Sequence, residues 1–441
     1  METTNKINRM KNSITLKLIT IIVLSLLLLI PAALIINLVD ERQSRRDEAI
    51  LEVTSKWGQS QTLFAPVLIV PYEKYERTSA KSYVTRKNYL HILPDNVEIT
   101  GNVEPETKRR GIYEVVLYNA GLKIRGSFTA DAFQNWPETP DKILWGEAIM
   151  AIGISDLTGL STLNKMQWNG AELNFEGGIP FTTSIESGIH APVQINITGD
   201  NTFDLDLDLK GSDALNFVPT GKNTHVNLVS PWTTPSFDGS PLPTHDITEK
   251  GFTANWNVLH LTRAFPQKWI NTTFQFEIDQ SSFGVDLFIP VDSYQKTSRS
   301  VKYAILFIGL TFLVIFFMEI RNKKRVHIVQ YLLTGAALVV FYSLLLSISE
   351  HLQFSWAYLI SAVAIIALIA GYLQAIFGRL SYTIASTGIL IALYGFLFAI
   401  LHMADTALLI GNIGLFIILA IIMFFSRKID WYNEKEQEAV K

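Results

Sequence analysis

From Leu18 to Val39 the chain reads LITIIVLSLLLLIPAALIINLV, without one charged residue. A helix crosses a hydrocarbon core about 30 Å thick with roughly 20 apolar residues, at 1.5 Å rise each. This run is long enough. Comparable runs then disappear until residue 303 and return five times, at about Tyr303–Glu319, Ile328–Ser349, Ser355–Phe377, Thr383–Leu401 and Ala407–Phe425. The expectation is a mixed-class membrane protein with six transmembrane helices, one N-terminal and five C-terminal. Composition agrees, with 49% hydrophobic residues and 17% charged ones; a soluble chain carries about 25% charged residues.

Lys6, Arg9, Lys11 and Lys17 give the first run a basic flank, which also fits a signal peptide. A signal h-region is typically 7–15 residues, and this run continues past Pro31-Ala32-Ala33, so it reads as an uncleaved anchor. Orientation follows from Lys and Arg in the short loops. RNKKRVH (321–327), Arg379 and Arg427-Lys428 are basic, whereas SEHLQF and HMADTA hold neither Lys nor Arg. These signals put residues 1–17 and 426–441 in the cytoplasm, the first span at 18–39, residues 40–300 outside, and a five-helix bundle at 301–425. The chain is thereby expected to be a multi-pass membrane protein with both termini in the cytoplasm.

The outside segment opens with DERQSRRDEAILEVTSKWGQS (40–60), a polar helix-like stalk. Beyond it the periodicity becomes two. In TFDLDLDLK, Phe203, Leu205, Leu207 and Leu209 alternate with Asp204, Asp206 and Asp208, the pattern of a half-buried strand. GIYEVVLYNAGLKIRGSF reads as two strands turning at Asn119-Ala120-Gly121. PVLIVPY, QFEIDQ and VDLFIPV read as further short strands. Many short strands between Pro, Gly and Asn turns predict a large extracytoplasmic β-rich domain, sandwich-like in architecture. No internal repeat is visible.

Most motifs fail on inspection. Asp204-x-Asp206-x-Asp208 is not a calcium loop, because Leu209 and Leu215 stand where Gly and Glu are needed. PTGKNT is not a phosphate loop, failing at Asn216 and Asn223. The inverted zinc motif ending on Glu350-His351 lacks its first histidine, which is Ser347. With no cysteine, thiolate catalysis, disulfides and iron–sulfur clusters are excluded. A net charge of −3 gives no reason to expect nucleic acid. No metal or other cofactor is expected.

One constellation survives. The topology puts Glu350, His351, His402 and Asp405 at the outward ends of spans. A His–carboxylate cluster there would suit metal binding, proton transfer or chemistry on a lipid-linked substrate. Polar residues are also what helix ends need at an aqueous interface, and Glu350 and His351 fit domain docking equally. Glu319, beside Arg321 at the inner end of the second span, reads as a paired boundary residue that snorkels. No span has a charge near its middle, which argues against an ion-coupled transporter.

The order of segments resembles the CreD family of bacterial inner-membrane proteins. The resemblance runs through LFAPVLIVPY, RRGIYEVVLY, FVPTGKNTHVNLVSPWTTPSFDGSPLP and GFTANW. In the bundle it includes KYAILFIGLTF, QYLLTGAALVVFYSLLLSISEH, ADTALLIGNIG and IDWY. It implies a role in cell-envelope integrity, control by a two-component regulon, altered colicin tolerance and β-lactam responses. It supplies no catalytic residues. The first expectation is therefore a non-enzymatic protein, in contact with the bilayer, whose outer domain binds envelope proteins or cell-wall components. The alternative is an enzyme or carrier for a lipid-linked envelope precursor, using Glu350, His351, His402 and Asp405.

Overall fold

The structure, a computed structural model, describes residues 14–77, 83–181, 185–287, 293–322, 324–403 and 407–427. The chain divides into two compact units at Arg46/Asp47 and at Pro290/Val291.

The helical unit begins with α1 (Ile14–Leu27) and α2 (Leu29–Trp57), the latter running on into the second unit. The irregularity between them has a cause in Pro31. Proline has no N–H to give and is tolerated in a first helical turn, so α2 restarts two residues before it. Leu28, Ala32, Ile35 and Val39 are buried at helical spacing and form one stripe. A short amphipathic helix, which periodicity had not separated from the outer segment, follows later. It is α4 (Ser293–Lys302), with Tyr294, Thr297 and Val301 buried on one side. It leads into α5 (Ala304–Asn322), α6 (Ile328–Ser349), α7 (Phe354–Phe377), α8 (Leu380–His402) and α9 (Ala407–Ser426). Among the described residues five helices, counting the N-terminal one, are long and apolar enough to cross a membrane. α9 is a further apolar helix, described over Leu409–Phe424.

Glu319 does not snorkel. It is 7% exposed and takes the Lys17 ammonium as its partner. Its carboxylate also accepts the Val326 N–H at 3.0 Å and the Tyr331 hydroxyl at 3.1 Å. The pairing joins α1 to α5 and α6, because a carboxylate held out of water needs a cation and donors to fill its lone pairs.

The second unit holds two sheets. In the ten-stranded sheet, β1 (Gln61–Arg77) is flanked by β12 (Ala214–Val218) and β6 (Ile149–Ile154). β18 (Phe283–Leu287) and β14 (Pro235–Asp238) extend one side, and β10 (Gly188–Pro192) and β9 (Glu176–Gly177) the other. β2 (Tyr83–Ile92) and β5 (Lys142–Ile143) pair with β1, and β17 (Lys268–Ile270) pairs with β2. The eight-stranded sheet runs β15 (Thr244–Thr248), β16 (Gly251–Leu259), β13 (Asn223–Ser230), β3 (Asn96–Arg110), β4 (Tyr113–Phe128), β11 (Asn201–Ser212), β7 (Leu160–Trp168) and β8 (Ala171–Glu172). Inward residues of both sheets, such as Leu68 and Val70 with Ile99 and Leu207, share one buried cluster.

β1 is buried on both faces. Leu63, Ala65, Leu68 and Val70 join the shared cluster, while Phe64, Val67 and Ile69 join a second one with Trp269 and Ile278. The change of parity occurs at Pro66, where the register against β6 shifts between Phe64 and Val67. A residue without an N–H fits a bulge, where the ladder bond is already missing.

Two strand expectations need correction. Asn119-Ala120-Gly121 is no turn: β4 runs unbroken from Tyr113 to Phe128, burying Ala120, Leu122 and Ile124 on alternate positions. The turn lies earlier, at Gly111, whose φ of 62° suits a glycine. QFEIDQ forms a helix, α3 (Gln275–Gln280), which buries Ile278 alone. Its apolar residues Phe276 and Ile278 fit a strand period equally well, and a segment this short cannot be told apart by period. The alternation in TFDLDLDLK forms β11 as expected, with Phe203, Leu205, Leu207 and Leu209 buried.

Candidate functional site

Glu350 follows the last residue of α6, and the backbone then turns tightly into α7, with the Leu352 N–H bonded to the Ile348 carbonyl. Its side chain is only 10% exposed. The Tyr294 hydroxyl on α4 donates to it at 3.3 Å, and Arg42 Nε on α2 lies 3.8 Å away. Glu350 thus ties α6 to α4 and to the helix that leaves the bundle. His351, beside it, is exposed in the turn.

His402 is placed differently. It ends α8, and its Nδ1 lies 2.9 Å from the Phe398 carbonyl one turn back. A carbonyl only accepts, so Nδ1 carries a proton. Nε2 lies 3.1 Å from Ser355 Oγ at the start of α7, and in the neutral ring it accepts the serine hydroxyl. The imidazole also packs on Phe398 and Phe354, with ring centroids 4.1 and 6.0 Å apart. Asp405 lies outside the described residues. Glu350 and His402 therefore have separate partner sets, Arg42 and Tyr294 for one, Ser355 and Phe398 for the other. Among the described residues no group of three or more His, Asp and Glu side chains is placed to hold a metal ion.

Beside the Ser355–His402 pair, α7 and α8 enclose an apolar groove of about 550 Å³. Trp356, Leu359, Val363 and Ile391 line it, and Tyr358 closes its inner wall by donating to the Tyr394 carbonyl at 2.7 Å. Lys296 of α4 stands over the Phe354 ring at 5.6 Å. No spacing along the sequence links residues 296, 355 and 402, so neither Ser355 nor Lys296 stood out there.

The β unit offers a second surface. The outward residues of the eight-stranded sheet form cross-strand rows. One is Asn255, Asn227, Thr100, Lys123, Asp206 and Lys165; the next is Thr253, Val229, Asn102, Gly121, Asp208 and Thr162. Amides, hydroxyls and mixed charges dominate. Asp204, in a third row, is held below the usual carboxylate range chiefly by Lys165, with Arg125 assisting, against an opposing cost of burial. At Gly121 the face dips. With no side chain there, a hollow of about 320 Å³ opens among Asn102, Glu104, Asn119, Ser161, Asp208 and Lys210.

With this geometry in hand, comparison with known proteins is informative at the level of the whole chain. The family described as inner membrane protein CreD matches residues 13–432. The chain belongs to the CreD family. Inner membrane protein CreD of Escherichia coli (strain K12) is 32% identical over 416 residues, which is 92% of this chain and 91% of that one. Membership of the CreD family and the apolar helices make this a multi-pass inner-membrane protein in contact with the lipid bilayer. Among solved structures, an M1 zinc metallopeptidase from Deinococcus radiodurans is similar over 38% of each chain, at 10% identity and a TM-score of 0.19. So low a score carries no argument about a CreD chain.

Proposed function

We propose that this protein supports cell-envelope integrity by binding, with its β unit on the extracytoplasmic side of the inner membrane and both termini in the cytoplasm. The observation that carries the reading is the polar face of the eight-stranded sheet with its hollow at Gly121. Donors and acceptors in rows suit a ligand rich in hydroxyl and amide groups, as cell-wall glycan peptides and envelope proteins are. Two sheets that share one core form a sandwich-like scaffold, rigid enough to hold those rows in register. Basic loops on the opposite side supply the orientation.

The test uses the filled hollow. A β-carbon on Gly121 would meet only Asp208 Oδ1, at 3.5 Å, so Gly121→Trp fits the strand and blocks the dip. In-cell crosslinking from position 119 should capture specific envelope partners in the wild type and lose them in Gly121→Trp at equal protein level. Crosslinks to bulk protein alone, alike in both, refute the reading. The chain has no cysteine, so Lys324→Cys reports orientation cleanly. Labelling of it by an impermeant reagent from outside refutes the assigned topology.

A further inference from the structure

We propose that the groove between α7 and α8 is a binding site for one hydrocarbon chain of an anionic phospholipid, whose negatively charged headgroup is met by Lys296. The inference concerns the bundle and is independent of what the sheet face binds, so either can fail alone.

Three observations converge on this ligand. The first is shape and chemistry. The groove of about 550 Å³ is walled by apolar side chains and lies on helices long enough to span a bilayer. Trp356 is 60% exposed and Val363 57%, so in a membrane this side looks onto lipid, and a lipid chain is the apolar object at hand. The second is where the polar groups fall. Within the groove the Tyr358 hydroxyl is satisfied by the Tyr394 carbonyl, and the other lining side chains are almost all apolar. At its end, His402 and Ser355 form a hydrogen-bonded pair, and Phe354 carries His402 beside it and Lys296 above it.

The third is charge. Among the described residues no carboxylate pairs with Lys296, Arg299 or Lys302, the cations of α4. Glu350, the acid facing this helix, is engaged by Arg42 and Tyr294. An amphipathic helix with cations on its open side suits an anionic headgroup layer. Hydrophobicity alone gives no preference between a protein groove and neighbouring lipid tails. Selectivity must therefore come from the headgroup end, and a cation near an anionic surface favours it about fivefold.

The geometry fixes the variants. A β-carbon on Gly395, which lines the groove, meets nothing within 4 Å. Gly395→Leu therefore fills the groove without displacing the fold. Lys296→Gln removes the headgroup contact and leaves the walls intact. The full chain is reconstituted in vesicles of mixed phosphatidylglycerol and phosphatidylcholine, with brominated chains on one lipid at a time. Trp356 fluorescence is obtained by subtracting a Trp356→Phe sample.

In the wild type, brominated phosphatidylglycerol should quench Trp356 about fivefold more effectively than brominated phosphatidylcholine at equal mole fraction. Gly395→Leu should abolish that excess. Lys296→Gln should equalise the two lipids. Equal quenching by both lipids in the wild type overturns the proposal, as does an excess that survives Gly395→Leu. Efficient disulfide dimers of Val363→Cys would show a second copy of the chain seated on this face, and would also overturn it.

Discussion

Lowering the pH from 7 to 5 should weaken the β unit through one ring, His91. This side chain on β2 is fully buried, stacked 4.8 Å from Trp269 with the planes 5° apart. Neither ring nitrogen makes a hydrogen bond of normal geometry. Burial pushes its pKa down from 6.5 to about 4, and the backbone around Trp269 and Tyr89 offsets only part of that. The sign follows from which state takes the proton. Below pH 6.5 the unfolded chain protonates its histidine, while the folded chain resists until about pH 4. Stability is thus fully present above 6.5 and is lost between 6.5 and about 4. Each pKa unit is about 1.4 kcal/mol, so the whole loss is about 3 kcal/mol, with about 2 kcal/mol gone by pH 5. The assay is urea unfolding of the full chain in detergent, followed by near-ultraviolet circular dichroism of the buried tryptophans. His91→Phe keeps an aromatic ring on Trp269 and cannot titrate, so the difference between the two proteins removes the contribution of other acids. If wild type and variant lose the same stability between pH 7 and pH 5, the reasoning is refuted.

Three further outcomes follow from the helical unit. Glu319→Ala leaves Lys17 partly buried without its partner and should cost about 3–5 kcal/mol in detergent unfolding; Lys17→Met with Glu319→Leu should recover only part of it, because the Val326 N–H and the Tyr331 hydroxyl still lose their acceptor. Gly335→Leu should destabilise by about 1–3 kcal/mol, because a β-carbon there would collide with Leu28 Cδ1 and lie 2.7 Å from Phe312 Cζ; its melting temperature should fall accordingly. Glu350→Gln keeps an acceptor for Tyr294 and loses only the distant Arg42 attraction. It should change stability by less than about 1 kcal/mol and complement an envelope-stress phenotype at normal expression; failure to complement would instead favour a chemical role for this carboxylate.

The apolar runs were legible because lipid demands them: a helix in hydrocarbon must be long and uncharged, so α5 to α9 appear in the sequence almost as they fold. The period-two pattern of β11 was equally plain, since one face is buried and the other wet. Asn119-Ala120-Gly121 misled because its residues favour turns, yet at positions 119 and 121 they point outward, where a strand tolerates them. α4 escaped notice because, Val301 apart, its buried residues are serine, threonine and tyrosine rather than aliphatics. Glu350 and His402 could be placed at helix ends from the sequence. Their partners could not, because Arg42, Tyr294 and Ser355 meet them through tertiary contacts that local spacing does not encode.

The Lys17–Glu319 pair spans 302 positions of the chain, and that separation has a consequence for biogenesis. At about 5–20 residues per second of synthesis, roughly 15–60 s separate the two side chains as they leave the ribosome. Lys17, arriving first, can wait at the interface, because a long cation reaches water from a helix end. Glu319 has a shorter stem and gains its cation only if the first span is already seated. The earliest helix thus acts as a checkpoint for the late ones. A chain that had lost it would present an uncompensated acid in lipid, the kind of defect by which membrane quality control distinguishes an assembled protein from an abandoned one.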